Sequence, residues 1–372
     1  MAGLDDVLAR HRVVICAGSG GVGKTTTAAA LAVRAALAGR RTLVMTIDPA
    51  KRLADALGIR GLGTISSAVP VDDVPHGYLS AMMLDQKGAW DALVERHAPS
   101  PDIRDRILQN RFYQHLSQSF AGSQEYMAIE QLCEVHASGA YDLIVVDTPP
   151  TRHALDFLEA PQRIADFLDK RVVKWFVKPY FSAGWATMRF VNRTVGFLFK
   201  RLEDATGITA LVEVSEFFTS MSGLFEEFEP RVRRVEALLR SPQTAFVLVA
   251  TPEEQVLREA EYFCGRVREL GVPLRAVVFN RTHRELATAR DAREPEAVRA
   301  LLARLLGARD GATELAENFV RYEALGRGDG LRMEAFRRAL PRGAAVAEVP
   351  NFHTDVHSVA DLRTMHQFLF AA

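Results

Sequence analysis

Apolar positions in this chain form short continuous runs, and longer stretches with helical spacing separate them. The runs lie at residues 12–18, 41–48, 78–85, 141–150, 243–252, 274–281 and 345–349. A continuous apolar run is typical of a strand buried on both faces, as in a parallel sheet. The alternation of such strands with helices therefore predicts an α/β fold with a mostly parallel sheet flanked by helices.

Two long stretches interrupt this alternation. Residues 86–140 and 161–240 have helical patterns without a convincing strand, and the second is too long for a βα crossover. We therefore expect a core built from residues 1–85, 141–160 and 241–372, with the two other stretches inserted as a helical subdomain.

The segment after the first predicted strand matches the phosphate-loop template G-x-x-x-x-G-K-[ST] through Gly18, Gly23, Lys24 and Thr25. Glycines let backbone N–H groups approach phosphate oxygens, and a helix that opens at Lys24 adds the positive end of its dipole. Lys24 is expected to reach the β- and γ-phosphates. The predicted ATP contacts in this segment are Gly20, Gly21, Val22, Gly23, Lys24, Thr25 and Thr26.

A P-loop ATPase also needs oxygen ligands for Mg²⁺ and a group that orients the attacking water. Thr25 supplies a hydroxyl, and Asp147, at the end of an apolar run, is expected to serve the metal through water. A cap on the following turn is the alternative for Asp147. Asp48 ends the second run and is the candidate catalytic residue beside Lys24, although an N-cap role fits it equally well.

Composition and charge narrow the classes of function. The 46 basic and 46 acidic residues give a formal net charge of zero, so no nucleic-acid partner is expected. The three cysteines, Cys16, Cys133 and Cys264, form no C-x-x-C pair, which argues against a disulfide framework or a Cys-based zinc site. Neither a signal peptide nor a membrane-spanning run is recognisable, and we expect a cytoplasmic protein, with peripheral membrane association left open.

Seven segments together resemble the ATPase family that includes the arsenite-pump ATPase ArsA and the GET-type targeting ATPase for tail-anchored proteins. G-S-G-G-V-G-K-T-T at 18–26 resembles the deviant Walker A loop of that family. Residues 46–55 resemble its switch I, and residues 147–155 resemble its switch II. The remaining likenesses, in the order of the family, are at 120–125, 251–261, 277–280 and 349–356.

The resemblance implies an Mg²⁺-dependent P-loop ATPase that uses ATP and is dimeric when active. It implies that Asp48 positions the attacking water and that Asp147 serves Mg²⁺. It further implies nucleotide contacts in the dimer from four later residues, with the asparagine on adenine: Glu253, Asn280, Pro350 and Phe352. Nucleotide-driven opening and closing of the dimer would expose or hide a site for a hydrophobic protein client or a membrane-associated partner.

The chain departs from the family pattern at a position that matters for catalysis. The family usually has lysine at the second position of the loop, reaching the phosphates of the partner subunit, whereas this chain has Ser19. A missing charge of this kind predicts slow hydrolysis, or a heterodimer in which a paralogous ATPase supplies the lysine. The zinc-binding C-x-x-C of the eukaryotic targeting factors is absent, so a zinc-clamped homodimer is not supported. The metalloid-binding cysteine cluster and a second P-loop are also absent, so arsenite transport is disfavoured.

Aromatic and basic residues are interleaved at 166–201, and more apolar residues follow at helical spacing at 211–228. This composition fits a surface for a hydrophobic client or a membrane, but it fits the packed core of a helical subdomain as well.

Three hypotheses about function follow. The first is an ATPase coupled to a hydrophobic client or membrane partner, as a homodimer or heterodimer. The second is a weakly catalytic regulatory subunit beside a lysine-bearing paralogue. The third is a partitioning or positioning ATPase of the ParA/MinD type, which the balanced charge and the long central insertion disfavour.

Overall fold

The computed structural model describes residues 3–47, 52–75, 78–84, 86–111, 113–114, 117, 123–149, 158–160, 217, 220, 225–286, 295–306 and 312–371. The strands of this part are β1 (Val13–Ala17), β2 (Thr42–Thr46), β3 (Ser67–Ala68), β4 (Leu79–Met83), β5 (Leu143–Asp147), β6 (Thr244–Ala250), β7 (Leu274–Thr282) and β8 (Ala345–Pro350). The main helices of this part are α1 (Leu4–Arg10), α2 (Lys24–Leu37), α3 (Arg52–Leu57), α4 (Gln86–His97), α5 (Pro101–Gln109), α6 (Ser123–Ser138), α7 (Phe225–Arg240), α8 (Glu254–Glu269), α9 (Pro295–Leu306), α10 (Ala312–Arg337) and α11 (Val359–Leu369).

The eight described strands form one sheet in the order β3-β4-β2-β5-β1-β6-β7-β8. All neighbouring pairs are parallel except β3 and β4. The central strands β1, β2, β5 and β6 are buried along their whole length, which is why they appear in the sequence as continuous apolar runs. The predicted fold class, an α/β fold with a mostly parallel sheet, is confirmed.

Helices cover both faces of the sheet. Val278 of β7 belongs to one buried cluster with residues of α1, α2, α3 and α11. The next residue, Phe279, meets Phe336 of α10 edge to face, with ring centroids 5.8 Å apart. Successive side chains of a strand point to opposite faces, so α2 and α10 lie on opposite sides of the sheet.

The described elements differ from the sequence-based expectation in one strand. β3 was missed, because its two residues are exposed and pair antiparallel with β4, so they carry no apolar signal. α2 ends at Leu37, and Gly39 just beyond it takes a left-handed φ of 82°, as glycines that follow a helix often do.

The chain divides into two compact units. The first contains the sheet and comprises residues 1–83, 138–155 and 240–372. The second comprises residues 84–137 and 156–239, and its described elements are helical. Among the described helices, none combines the length and the apolar composition that a membrane crossing requires.

Inside the second unit, a polar contact joins three helices. Arg231 of α7 pairs with Glu130 of α6, and the two side chains are only 13% and 10% exposed. The guanidinium also lies 2.5 Å from Nε2 of His97 in α4. The aromatic and basic stretch at 166–201 lies outside the described residues, as does most of 211–228.

Candidate functional site

The phosphate loop leaves the carboxyl end of β1 at the centre of the sheet. β1 pairs with β5 on one side and with β6 on the other, so the strand order reverses direction there. In open parallel sheets ligands bind in the crevice at such a reversal, outside the carboxyl ends of the strands. The fold thus places the loop where an α/β protein receives a nucleotide.

Two glycines of the loop are required by the close approach of other groups. A Cβ on Gly18 would lie 2.1 Å from the carbonyl oxygen of Val249, and one on Gly23 would lie 2.2 Å from Nδ2 of Asn280. Gly23 also has a φ of 91° and occupies the N-cap position of α2. A side chain at either position would displace the loop.

Lys24 is held inside the loop. Its ammonium donates a hydrogen bond of 2.8 Å to the carbonyl oxygen of Ser19, and the residue is 7% exposed. The hydroxyl of Ser19 in turn donates to Oε2 of Glu259, at 2.6 Å. The loop residues Gly20 and Gly21 are exposed, whereas Val22 is buried beneath them and Thr26 is half-buried in the first turn of α2.

Asp147 gathers two hydroxyls at the ends of neighbouring elements. The Thr25 hydroxyl donates a hydrogen bond of 2.8 Å to Asp147 Oδ2, and the Thr46 hydroxyl donates one of 3.0 Å to the same oxygen. Asp147 is 1% exposed and lies opposite Thr46 in the β2–β5 ladder. These hard oxygen donors fit Mg²⁺, which is usually held through one or two carboxylates together with water and phosphate oxygens.

Thr46 was missed by sequence reasoning. It is the last residue of β2, and its proximity to Asp147 depends on the pairing of β2 with β5. The one signal in the sequence was a hydroxyl residue two positions before the candidate Asp48. Asp48 itself lies outside the described residues.

Asn280 of β7 supports the phosphate loop from the side. Its amide nitrogen donates 2.9 Å to the carbonyl oxygen of Val22, and the residue is 8% exposed. A β-bulge follows in β7, where Arg281 has a φ of 57°. The contact of Asn280 with adenine stays a prediction.

Pro350 and Phe352 follow the neighbouring strand β8. Pro350 is opposite Thr282 in the ladder, and the backbone N–H of Asn351 donates 3.0 Å to the Thr282 carbonyl. The half-buried Phe352 packs on Phe368 of α11 with centroids 5.7 Å apart. The fold thus brings the ends of β7 and β8 to the same edge of the sheet. Glu253 is exposed at the N-cap of α8 and makes no side-chain cap bond.

A buried carboxylate on α10 joins the segments that follow β6 and β7. Asp329 is 4% exposed, and its Oδ2 accepts from the backbone N–H and from Nδ1 of His283, both at 2.9 Å. Its Oδ1 accepts from Arg332 at 2.6 Å, and Arg332 Nε donates 2.6 Å to the Pro252 carbonyl. Sequence reasoning missed this network, because nothing local links residues 252, 283 and 329.

The cysteines have the environments of small buried residues. Cys16 and Cys264 are buried and Cys133 is partly buried. Burial, and secondarily the charge of Asp147, raises the pKa of the Cys16 thiol far above its usual range. Burial likewise raises the pKa of Cys264 to about 11.

Known proteins share this sequence pattern. The model of the anion-transporting ATPase family matches residues 11–296. An ATPase GET3 of Malassezia globosa is 28% identical over 72% of this chain and 71% of its own length. An ATPase get3 of Aspergillus terreus is 36% identical over 43% of this chain and 46% of its own length.

A putative arsenical pump-driving ATPase 1 of Aquifex aeolicus is 24% identical over 73% of this chain and 63% of its own length. The family match covers most of the first compact unit and extends across the second. With the phosphate loop at the strand reversal and the Thr25–Asp147 contact beside it, the chain belongs to the anion-transporting ATPase family, whose members include the GET3 and arsenical pump-driving ATPases.

Proposed function

We propose that this chain is an Mg²⁺-dependent ATPase whose nucleotide cycle switches the conformation of a dimer. The observation that carries the proposal is the 2.8 Å hydrogen bond from the Thr25 hydroxyl to Asp147. Thr25 directly follows Lys24 of the phosphate loop. The contact supports the proposal because it joins a hydroxyl next to Lys24 to a carboxylate 122 residues away in the chain, and a magnesium site beside a phosphate loop needs both oxygens.

The loop residues bind and orient the triphosphate. Lys24 turns its ammonium toward the β- and γ-phosphate oxygens, and the backbone N–H groups at the start of α2 face the remaining phosphate charge. Thr25, with Asp147 acting through water, would hold Mg²⁺, which when bound neutralises charge on the phosphates. In this proposal Asp48 orients the attacking water.

Lys24→Ala is the decisive test of this site. Loss of the ammonium removes charge stabilisation at the phosphates, so steady-state turnover of Mg-ATP falls about 100-fold or more. Turnover is measured on the purified chain by phosphate release, with and without Mg²⁺, and folding is checked by circular dichroism.

Lys87→Ala is the matched control, because the Lys87 side chain is 42% exposed and, among the described residues, its ion pair is with Asp91 of the same helix, α4. Its turnover should equal that of the unaltered chain. The proposal fails if the unaltered chain neither binds nor turns over ATP, or if the folded Lys24→Ala variant retains both.

Four further residues are proposed to contact the nucleotide around its base when two chains form a dimer. Glu253, Asn280, Pro350 and Phe352 are the proposed residues, and the meeting of the β7 and β8 ends at one edge supports three of them. Light scattering with ATP and with ADP tests the dimer; a monomer under both conditions would contradict it.

We further propose that the helical insertions carry the site for a hydrophobic client or a membrane-associated partner, on a cytoplasmic protein. The support is the interleaving of aromatic and basic residues at 166–201. Photo-crosslinkers placed in this stretch should trap such partners in cells in a nucleotide-dependent way, and crosslinking that is indifferent to nucleotide would contradict the coupling.

A weakly catalytic subunit is the second candidate, and Ser19 is the observation that favours it. Where the family usually has a lysine that reaches across the dimer, this chain has a hydroxyl bonded to its own Glu259. Turnover of the chain alone is to be compared with turnover beside a lysine-bearing paralogue. Negligible turnover alone with recovery in the mixture supports this candidate, and full turnover alone rejects it.

A further inference from the structure

Ser19 is anchored through its backbone and its side chain by two different elements. Its carbonyl oxygen accepts the 2.8 Å bond from Lys24, and its hydroxyl donates the 2.6 Å bond to Glu259. Glu259 lies in α8, which packs on the sheet through buried Leu257, Ala260 and Phe263. The first turn of the phosphate loop is therefore tied to a helix that begins after β6.

The two bonds respond differently to a nucleotide. Lys24 has three N–H donors and must turn some of them toward phosphate oxygens when a triphosphate binds, so its bond to the Ser19 carbonyl is the one exposed to change. The bond from Ser19 to Glu259 involves other atoms and does not oppose the movement of Lys24. It continues to hold Ser19 while Gly20 and Gly21, which are exposed, present their N–H groups to the ligand.

We propose that Glu259 is a positioning residue for ATP binding, which acts through the Ser19 hydroxyl and not by touching the nucleotide. A hydroxyl donor on an ionised carboxylate forms a strong, charge-assisted hydrogen bond. Such a bond keeps the loop in its binding conformation before and after Lys24 moves, which lowers the entropy lost on binding. Ser19 is then a working member of this loop and not merely the place of a missing lysine.

Glu259 has two opposing effects that variants can separate. Its negative charge near the loop disfavours a polyphosphate, whereas its bond to Ser19 favours the bound shape of the loop. Glu259→Gln keeps an oxygen that accepts from Ser19 and removes the charge, whereas Glu259→Ala removes both. Ser19→Ala removes only the hydroxyl, and Ser19→Thr restores a hydroxyl as the conservative variant.

The test is a titration of ATP binding at equilibrium, together with KM and kcat where turnover is measurable. Loss of the bond, worth about 1 kcal/mol, should weaken ATP binding about fivefold in Ser19→Ala, and by less in Glu259→Ala, which also removes the opposing negative charge. The double variant should be no weaker than either single variant, because both remove the same interaction. Glu259→Gln and Ser19→Thr should bind ATP at least as tightly as the unaltered chain and raise no KM.

Thermal unfolding without nucleotide distinguishes positioning from a merely structural role. A structural role would lower the melting temperature of Ser19→Ala and leave its Kd for ATP unchanged, and this outcome would overturn the inference. Additive losses in the double variant would also overturn it. Glu269→Ala is the control, because Glu269 is on the same helix, its side chain is 63% exposed, and among the described residues it pairs with Arg266 of that helix. The ATP affinity of this variant should not change.

The inference rests on the proposal that this loop binds ATP, and the experiment separates the two. If the unaltered chain does not bind ATP, the proposed function fails. If the unaltered chain binds ATP and the Ser19 and Glu259 variants bind it equally well, only the role of Glu259 fails.

Discussion

Two glycine-rich segments of this chain resemble each other in composition and differ in structure. Residues 18–23 read G-S-G-G-V-G and residues 326–330 read G-R-G-D-G. In the first, Gly18, Gly21 and Gly23 have positive φ angles and form a loop. The second lies inside α10, which continues for 26 residues without interruption.

The difference shows what a glycine contributes in each context. The first segment follows the buried strand β1 at the reversal of strand order, so its bare backbone can approach a ligand. The second brings α10 close to the chain after β7: a Cβ on Gly326 would lie 2.9 Å from backbone atoms of Arg284 and Glu285. Both segments serve close backbone approach, but only the first leaves its N–H groups exposed for phosphate.

Among substitutions in the two glycine-rich segments, the largest loss of stability is expected at Gly18. Gly18→Ala places a methyl group 2.1 Å from the Val249 carbonyl oxygen, so the loop must move away from β6. The free energy of unfolding should fall by about 3 kcal/mol, the upper end for overpacking. ATP binding should be lost with it. Denaturant unfolding and ATP titration measure both, and a variant with unchanged stability and affinity would contradict the geometry.

The second largest effect is expected at Asp329, the buried carboxylate within the glycine-rich segment 326–330 of α10. Asp329→Ala leaves Arg332 and the backbone N–H of His283 without this acceptor. Loss of one partner of a buried pair costs about 3 kcal/mol, and because Arg332 is 39% exposed we expect about 2 kcal/mol. Urea unfolding measures this loss, with Asp6→Ala as the control because the Asp6 side chain is 47% exposed. A loss no greater than that of the control would show that the network contributes nothing.

The smallest effects come from a matched pair of glycines in α10. A Cβ on Gly330 would meet nothing within 4 Å, so Gly330→Ala should stabilise the helix by about 1 kcal/mol. Gly326→Ala gains the same propensity but clashes with the backbone of 284–285, and should destabilise the protein by about 1 kcal/mol. Thermal melts of the two variants should therefore shift in opposite directions, and shifts in the same direction would contradict the close approach at Gly326.

The strands that the sequence predicts are those whose signal is local. β1, β2, β5 and β6 are buried at every position, so their apolar runs identify them. β3 has no such signal, because pairing with β4 and not burial defines it. The glycines of α10 show where a local signal misleads. A glycine-rich composition indicates a loop at residues 18–23, but at residues 326–330 it is part of a helix.

The candidate site divides in the same way. The phosphate loop and the strand-end Asp147 could be predicted, because the template and the end of an apolar run are local features of the sequence. The contacts of Thr46 with Asp147, of Asn280 with Val22 and of Ser19 with Glu259 could not. Each joins residues more than 100 positions apart, which meet only after the sheet has assembled.

The sequence by itself therefore determined the class of fold, the family and the place where phosphate is expected, because apolar periodicity and the loop template are written in consecutive residues. Tertiary structure alone decided what surrounds that loop. The reversal of strand order at β1 brings the ends of β2, β5 and β7 and the helix after β6 to one crevice. Side chains in that crevice form hydrogen bonds of 2.6–3.0 Å with the loop and with Asp147 beside it. The sequence predicts the loop, but it does not predict these bonds.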